Sequence, residues 1–238
     1  MGTGELMPIV QGGHQKLDLN LTISGNTSDY NIATVAAQNG YSASSDDTPI
    51  FLTVDSGVEV TATMTNPALQ TGAINAASPL TITVNGTVTG YQGADGAGMR
   101  PGQAGSAGGD AIHFNTNTPA TGTYAVTVGS QGTVRSGGGG AGGRGLAGAR
   151  MQLFDDGKGG SSCMTPAVFG SDGSTGTPGG FGQAGTAGTP GSYGGSSQCP
   201  ITTPVGSGGS GGAAGFAVRK NGRTVTVTNQ GTVQGQTA

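Results

Sequence analysis

Few residues of this 238-residue chain stand where side-chain chemistry is usually built. Gly140-Ala141-Gly142-Gly143-Arg144-Gly145 has the spacing G-x-G-x-x-G, in which glycines let a backbone approach a pyrophosphate at a helix N-terminus. No helix and no distal acid follow it, and in so glycine-rich a segment the pattern arises from composition alone. Asp156-Gly157-Lys158-Gly159 lacks the spacing of a phosphate-binding loop. His14 and His113 are isolated, the second within a strand pattern where a packing or surface role is expected. Asp155 and Asp156 could meet a cation, but no further oxygen ligands follow at a metal-loop spacing. No nucleophile, base and orienting group form a set, so the chain is read as neither an enzyme nor a holder of metal or cofactor.

The residue types that remain are those of a binding surface. Bulky side chains are rare in the glycine-rich part of the chain, and they gather in three places. These are Arg150, Met151, Leu153 and Phe154, then Met164 and Phe169, then Tyr193 and Ile201. Aromatic, Met and Arg side chains held at a surface are the material of binding hot spots. The competing reading places Leu153, Phe154 and Phe169 in a small satellite core beneath the loops. Cys163 and Cys199, the two cysteines, bracket a glycine run in this region. A disulfide between them would tie two loops at one end of the fold; two free thiols are the alternative.

The elements that must position these residues are unusual. The chain has 51 Gly, only 9% charged residues and a net charge of −3. Such low charge is foreign to the usual disordered chain, which couples low hydrophobicity to high net charge. The 9 Lys and Arg are not clustered, so neither nucleic acid nor anionic lipid is an expected partner. No apolar run approaches the roughly 18 residues needed to cross a bilayer, and no membrane insertion is expected. Met1 to Leu6 lacks the basic and apolar regions of a secretory signal, and Leu6 stands where a myristoylation signal wants Ser or Thr, so synthesis and assembly in the cytosol are expected.

Glycine recurs with a period of three. Gly170 through Gly194 holds nine in register, and Gly90, Gly93, Gly96, Gly102, Gly105 and Gly108 form a second run broken at Met99. A period of three matches the polyproline II helix, which has no internal hydrogen bonds. Its peptide groups must therefore bond to neighbours, and a bare glycine face lets those neighbours approach. Segment 136–145, small on nearly every face, is read as the central helix of a polyglycine II bundle, surrounded by helices such as 170–194.

The flanks alternate with period two. Leu80-Thr81-Ile82-Thr83-Val84-Asn85-Gly86-Thr87-Val88 recurs around Tyr124–Val134 and Val225–Val233, and more loosely around Phe51–Val60. Each is a short strand, a glycine turn and another short strand. The fold class expected is mostly β and irregular, with little α-helix: a β-solenoid-like strand layer joined to a bundle of polyglycine II helices. Residues 1–78 are read as an N-terminal attachment β domain with one short helix near Tyr30–Gln38. Residues 79–238 are read as the binding domain, with strand units 80–90, 111–135 and 215–235 and glycine excursions 91–110 and 136–214.

The order of these motifs, with Gly108-Gly109-Asp110-Ala111-Ile112 and Gly212-Ala213-Ala214-Gly215-Phe216-Ala217-Val218 leading back into strands, resembles glycine-rich phage tail-tip adhesins over about 50–238. These are the receptor-binding domains of siphophage central tail fibres, and the T-even-type distal tail-fibre adhesins share the design. The resemblance implies a virion tail-fibre tip whose loops bind a bacterial outer-membrane protein or surface glycan. It also implies attachment to another tail-fibre protein, as a single cap or as a homotrimer. An ice-binding protein with Gly-x-x helices and a collagen-like structural protein are the alternatives from other classes.

Overall fold

The computed structural model describes residues 18–64 and 66–238. His14 and the start of the expected N-terminal domain lie outside them. Within them, eighteen strands and one short helix form two joined structures, a β-solenoid and a bundle of glycine-rich helices.

The solenoid has three parallel sheets of five strands each. The first contains β1 (Leu19–Ile23), β4 (Ile50–Val54), β7 (Leu80–Val84), β10 (Tyr124–Val128) and β16 (Val225–Asn229). The second contains β2 (Thr27–Ser28), β5 (Glu59–Thr61), β8 (Thr87–Thr89), β11 (Thr133–Arg135) and β17 (Thr232–Gln234). The third contains β3 (Tyr30–Asn31), β6 (Leu69–Gln70), β9 (Ile112–His113), β15 (Phe216–Arg219) and β18 (Gln236–Thr237). The chain visits the three sheets in turn, so each circuit is one rung and five rungs stack. The recurring strand-turn-strand units are therefore corners of a three-sided coil: Gly86 turns the chain from β7 into β8, and Gly231 turns it from β16 into β17.

Register explains the alternation in sequence. Leu21, Leu52, Ile82, Val126 and Val227 stack in one interior ladder, while Thr22, Thr53, Thr83, Thr127 and Thr228 stack on the outer face of the same sheet. Val60, Val88, Val134 and Val233 form the interior ladder of the second sheet. A buried aliphatic side chain contributes about 1.5–3 kcal/mol. Most of the aliphatic residues among those described go into this one contiguous core. The short helix α1 (Ile32–Gln38) starts at Asn31, whose Oδ1 accepts the Thr34 N–H at 3.1 Å, and buries Ile32 and Ala36 against β1.

Two glycine-rich excursions leave the solenoid between its second and third sheets. The first departs after β8 and returns at β9; the second departs after β11 and returns at β15. Together they form six extended helices, approximately 90–98, 102–109, 136–148, 170–180, 183–194 and 205–215. The third is central and is buried throughout 136–143.

Its peptide groups can be accounted for face by face. The carbonyls of Gly138 and Ala141 accept from Gly93 and Gly96 of the first helix, those of Gly139, Gly142 and Gly145 from the fourth, and those of Gly137, Gly140 and Gly143 from the sixth. The N–H groups of Gly140 and Gly143 donate to the second helix, and those of Gly139, Gly142 and Gly145 to the fifth. On the remaining face side chains take the place of a neighbouring helix: Gln92 Oε1 accepts from Gly138 at 3.2 Å, Asp95 Oδ1 from Ala141 at 2.7 Å, and Asp172 Oδ1 from Ala147 at 2.7 Å. The bundle is thus held by a hydrogen-bond lattice where an ordinary fold would place an oily core.

One expectation needs correction. The nine-glycine run 170–194 is two antiparallel helices, paired as Thr186 to Thr177, Thr189 to Ser174 and Ser192 to Ser171. The reversal occurs at Phe181-Gly182, where Gly182 takes a φ of +73°. Gly182 keeps the three-residue register through the turn, so periodicity alone runs straight past it. Phe181 is the bulky residue at this turn, and the Arg135 guanidinium lies 4.1 Å above its ring.

Candidate functional site

The third helix runs away from the solenoid and ends in a β-hairpin. β12 (Ala149–Asp155) and β13 (Ser161–Phe169) pair antiparallel, and β13 leads into the fourth helix. The fifth helix ends in segment 195–204, where β14 (Ile201–Thr203) pairs with the other edge of β12. All three clusters of bulky residues thus meet at one end of the bundle, in one three-stranded sheet of order β13-β12-β14 and its borders.

Strand alternation assigns the side chains to faces. Arg150, Gln152 and Phe154 share a face with their partners Val168, Met164 and Ser162, and Ile201 lies opposite Arg150 on the same side. Phe154, Met164 and Ile201 are 41%, 53% and 49% exposed, so this side carries uncovered apolar surface. Met151 and Leu153 face the other way and are half-buried, Leu153 standing opposite Cys163. Phe169, 60% exposed, closes β13 beside Tyr193, which bridges to it.

Several of these residues hold the tip together. The Arg150 guanidinium lies 4.7 Å above the Tyr193 ring, and its Nη1 donates to the carbonyls of Ser197 at 2.9 Å and Cys199 at 3.3 Å. Cys163 and Cys199 are bonded, with Cα atoms 5.5 Å apart, which fastens segment 195–204 to the hairpin. At the hairpin turn, Asp156 Oδ1 accepts the N–H groups of Lys158 and Gly160, each at 2.9 Å, and these bonds lower its carboxyl below the ordinary range. Asp155 Oδ1 similarly accepts from Gly157 at 2.9 Å. The Asp pair is therefore engaged in turn geometry, and among the described residues no group of three or more His, Cys, Asp or Glu converges as a metal site.

A fourth segment joins the tip that sequence reasoning left out. The reversal between the first and second helices, Met99-Arg100-Pro101, lies beside the end of the third: Met99 bridges to Gly145, its carbonyl accepts the Leu146 N–H at 3.2 Å, and Arg100 Nη2 donates to the carbonyl of Ala147. Met99 is itself exposed. The signal was present in the sequence, since Met99 is where the first glycine run loses its register.

His113, away from the tip, belongs to a buried polar clamp. Asp110 Oδ1 accepts from the Phe216 N–H and from Arg219 Nη2, each at 2.9 Å, while Oδ2 accepts from Arg219 Nε and from His113 Nδ1, the latter at 2.9 Å. His113 Nε2 meets Asn221 Nδ2 at 2.9 Å, which assigns the imidazole proton to Nδ1. Burial alone would raise the Asp110 carboxyl; the hydrogen bonds from His113, Arg219 and Phe216 and the Arg219 charge hold it down at about 2. The clamp joins the points where both glycine excursions re-enter the solenoid.

Comparison with known proteins agrees with this architecture. The solved gp37-gp38 adhesin tip complex of the bacteriophage S16 long tail fiber contains a chain similar to this one at 19% identity, with a TM-score of 0.51, covering 93% of this chain and 82% of that one. At that identity the likeness is one of fold. No curated protein matches. The family described as phage tail fibre adhesin Gp38 matches residues 18–238, and the chain belongs to that family.

Proposed function

We propose that the chain is the receptor-binding tip of a phage tail fibre, and that it grips a molecule of the bacterial outer surface through the far end of its glycine bundle. The carrying observation is the convergence there of Phe154, Met164, Phe169, Ile201 and Met99, all exposed, on segments tied by a disulfide and a hydrogen-bonded lattice. Apolar side chains on a preformed support bind with little ordering cost. The target is an outer-membrane protein or a surface glycan, and Arg150, Met151, Leu153 and Tyr193 shape and support the contact surface. The solved relative is a complex with gp37, which supports seating this chain on a second tail-fibre protein at the end of the virion's fibre.

The test is competition. Purified chain added to host cells should block adsorption of the phage. Phe154→Ala, Met164→Ala and Ile201→Ala together should weaken the block by about 30-fold or more, the scale of losing a hot spot. Undiminished competition by the triple variant would remove the tip from the binding role.

A further inference from the structure

The sheet at the tip is built almost without an interior. From Phe154 to Pro166 every residue except Cys163 is exposed, and in segment 195–204 Cys199 alone is buried. Where two loops would ordinarily meet over aliphatic side chains, these meet over the Cys163–Cys199 bond, with Leu153 opposite Cys163. Beyond that bond the segment is lightly held. β14 matches β12 at two residue pairs, the Met151 N–H donates to the Pro200 carbonyl at 3.3 Å, and Thr202 Oγ1 donates to the Ala149 carbonyl at 3.2 Å. Arg150 adds its bonds to the Ser197 and Cys199 carbonyls. A crosslink spanning 36 residues withholds much of the freedom that the open chain would have.

We infer that the tip is redox-gated: its contact surface forms only with the Cys163–Cys199 bond closed, so a chain made in a reducing cytosol carries an open tip and completes it after leaving the cell. This rests on the reading of the chain as a receptor-binding tip. Ile201 on β14 shares one side of the sheet with Phe154 and Met164 of the hairpin only while β14 stays beside β12. Cytosolic thiol pools keep cysteine pairs reduced. Cys163 is partly exposed, which opens the pair to a small disulfide of the surrounding medium. The Cys163 thiolate attacks one sulfur of that disulfide and expels a small thiolate; the Cys199 thiolate then attacks the Cys163 sulfur and expels the second. The two cysteine thiols are oxidised to one protein disulfide, the small disulfide is reduced to two small thiols, and the cysteine protons pass to the departing thiolates.

The test uses the intact chain, expressed in the bacterial cytosol and trapped at lysis with a thiol-alkylating maleimide, where both cysteines should be labelled. Untrapped chain kept reduced should need at least about ten times more protein to block phage adsorption than the same chain closed with glutathione disulfide. Amides of 196–203 should exchange about tenfold faster or more in the reduced chain, with those of 137–143 unchanged. Cys163→Ser combined with Cys199→Ser should behave as the reduced chain under either condition. A chain already closed in the cytosol, equal competition by the open and closed forms, or unchanged exchange in 196–203 overturns this inference and leaves the receptor-binding reading standing. A closed chain that does not compete overturns both. Should the double variant misfold, the two redox states of the unmodified chain still decide.

Discussion

Among the described residues, Asp110 is one whose ionisation is tied directly to the fold. Its carboxyl sits at about 2 in the folded protein, against an ordinary value of 3.8. The folded state therefore prefers the carboxylate, so the stabilisation is complete above about pH 4 and is lost as pH falls through about 2. The shift corresponds to roughly 2 kcal/mol. Asp110→Asn should cost about 2 kcal/mol at neutral pH, since it removes the charge that Arg219, itself a third exposed, pairs with. It should also flatten the acid limb. Denaturant midpoints measured between pH 7 and 2 check both, and a variant that loses stability as steeply as the parent between pH 4 and 2 would show that the acid sensitivity lies elsewhere. None of this was legible in the sequence, where Asp110 and Arg219 are more than a hundred residues apart and His113 reads as an isolated strand residue.

At the scale of elements, glycine acts as a packing requirement, and the positions differ sharply. A Cβ at Gly139 would overlap the carbonyl oxygen of Gly212, and neither partner is a side chain that can swing away. At Gly180 the nearest atom would be Gln183 Oε1 at 3.6 Å, an ordinary contact. Gly139→Ala should therefore destabilise by about 3 kcal/mol, the top of the overpacking range, and Gly180→Ala by less than about 1 kcal/mol, the ordinary propensity scale. Thermal unfolding of the pair checks this, and equal melting temperatures would refute the lattice as the source of cohesion. The three-residue period made the bundle and its central helix readable, because every third peptide must meet a neighbour. The period-two strands were readable for the same reason, since alternation is forced by an inside and an outside. The turn at Phe181-Gly182 was not, because Gly182 satisfies turn and register together. The strand units were readable as a β-solenoid-like layer, but its three-sidedness was not, because a glycine corner and a glycine hairpin read alike. The tip was legible as composition, bulky residues where bulk cannot pack, but the share of Met99 in it depended on knowing that two excursions end side by side.

For the whole molecule, the division of labour between solenoid and bundle can be separated experimentally. The excursions start and finish at neighbouring points: Gly109 donates to the carbonyl of Tyr91 at 2.7 Å, and Gly215 to that of Gly137 at 3.0 Å. In the fifth rung the same corner is crossed by Gly235 alone, between β17 and β18. A chain in which Gly90 is followed by Asp110, and Arg135 is joined to Phe216 through one glycine, therefore asks nothing of the corner that the fifth rung does not already do. It retains the interior ladders and the Asp110 clamp, and it gives up the glycine lattice and the tip. It should fold as a β-rich protein with one cooperative thermal transition, and it should no longer compete with phage for host cells. The reverse excision should fail, because residues 136–215 alone keep four of the six glycine helices and hold few of the buried aliphatic side chains that could offset the ordering entropy of so glycine-rich a chain. Circular dichroism and adsorption competition on the two truncations check the division. A shortened solenoid that is unfolded would mean that the lattice of the bundle, and not the aliphatic ladder, holds the rungs in register.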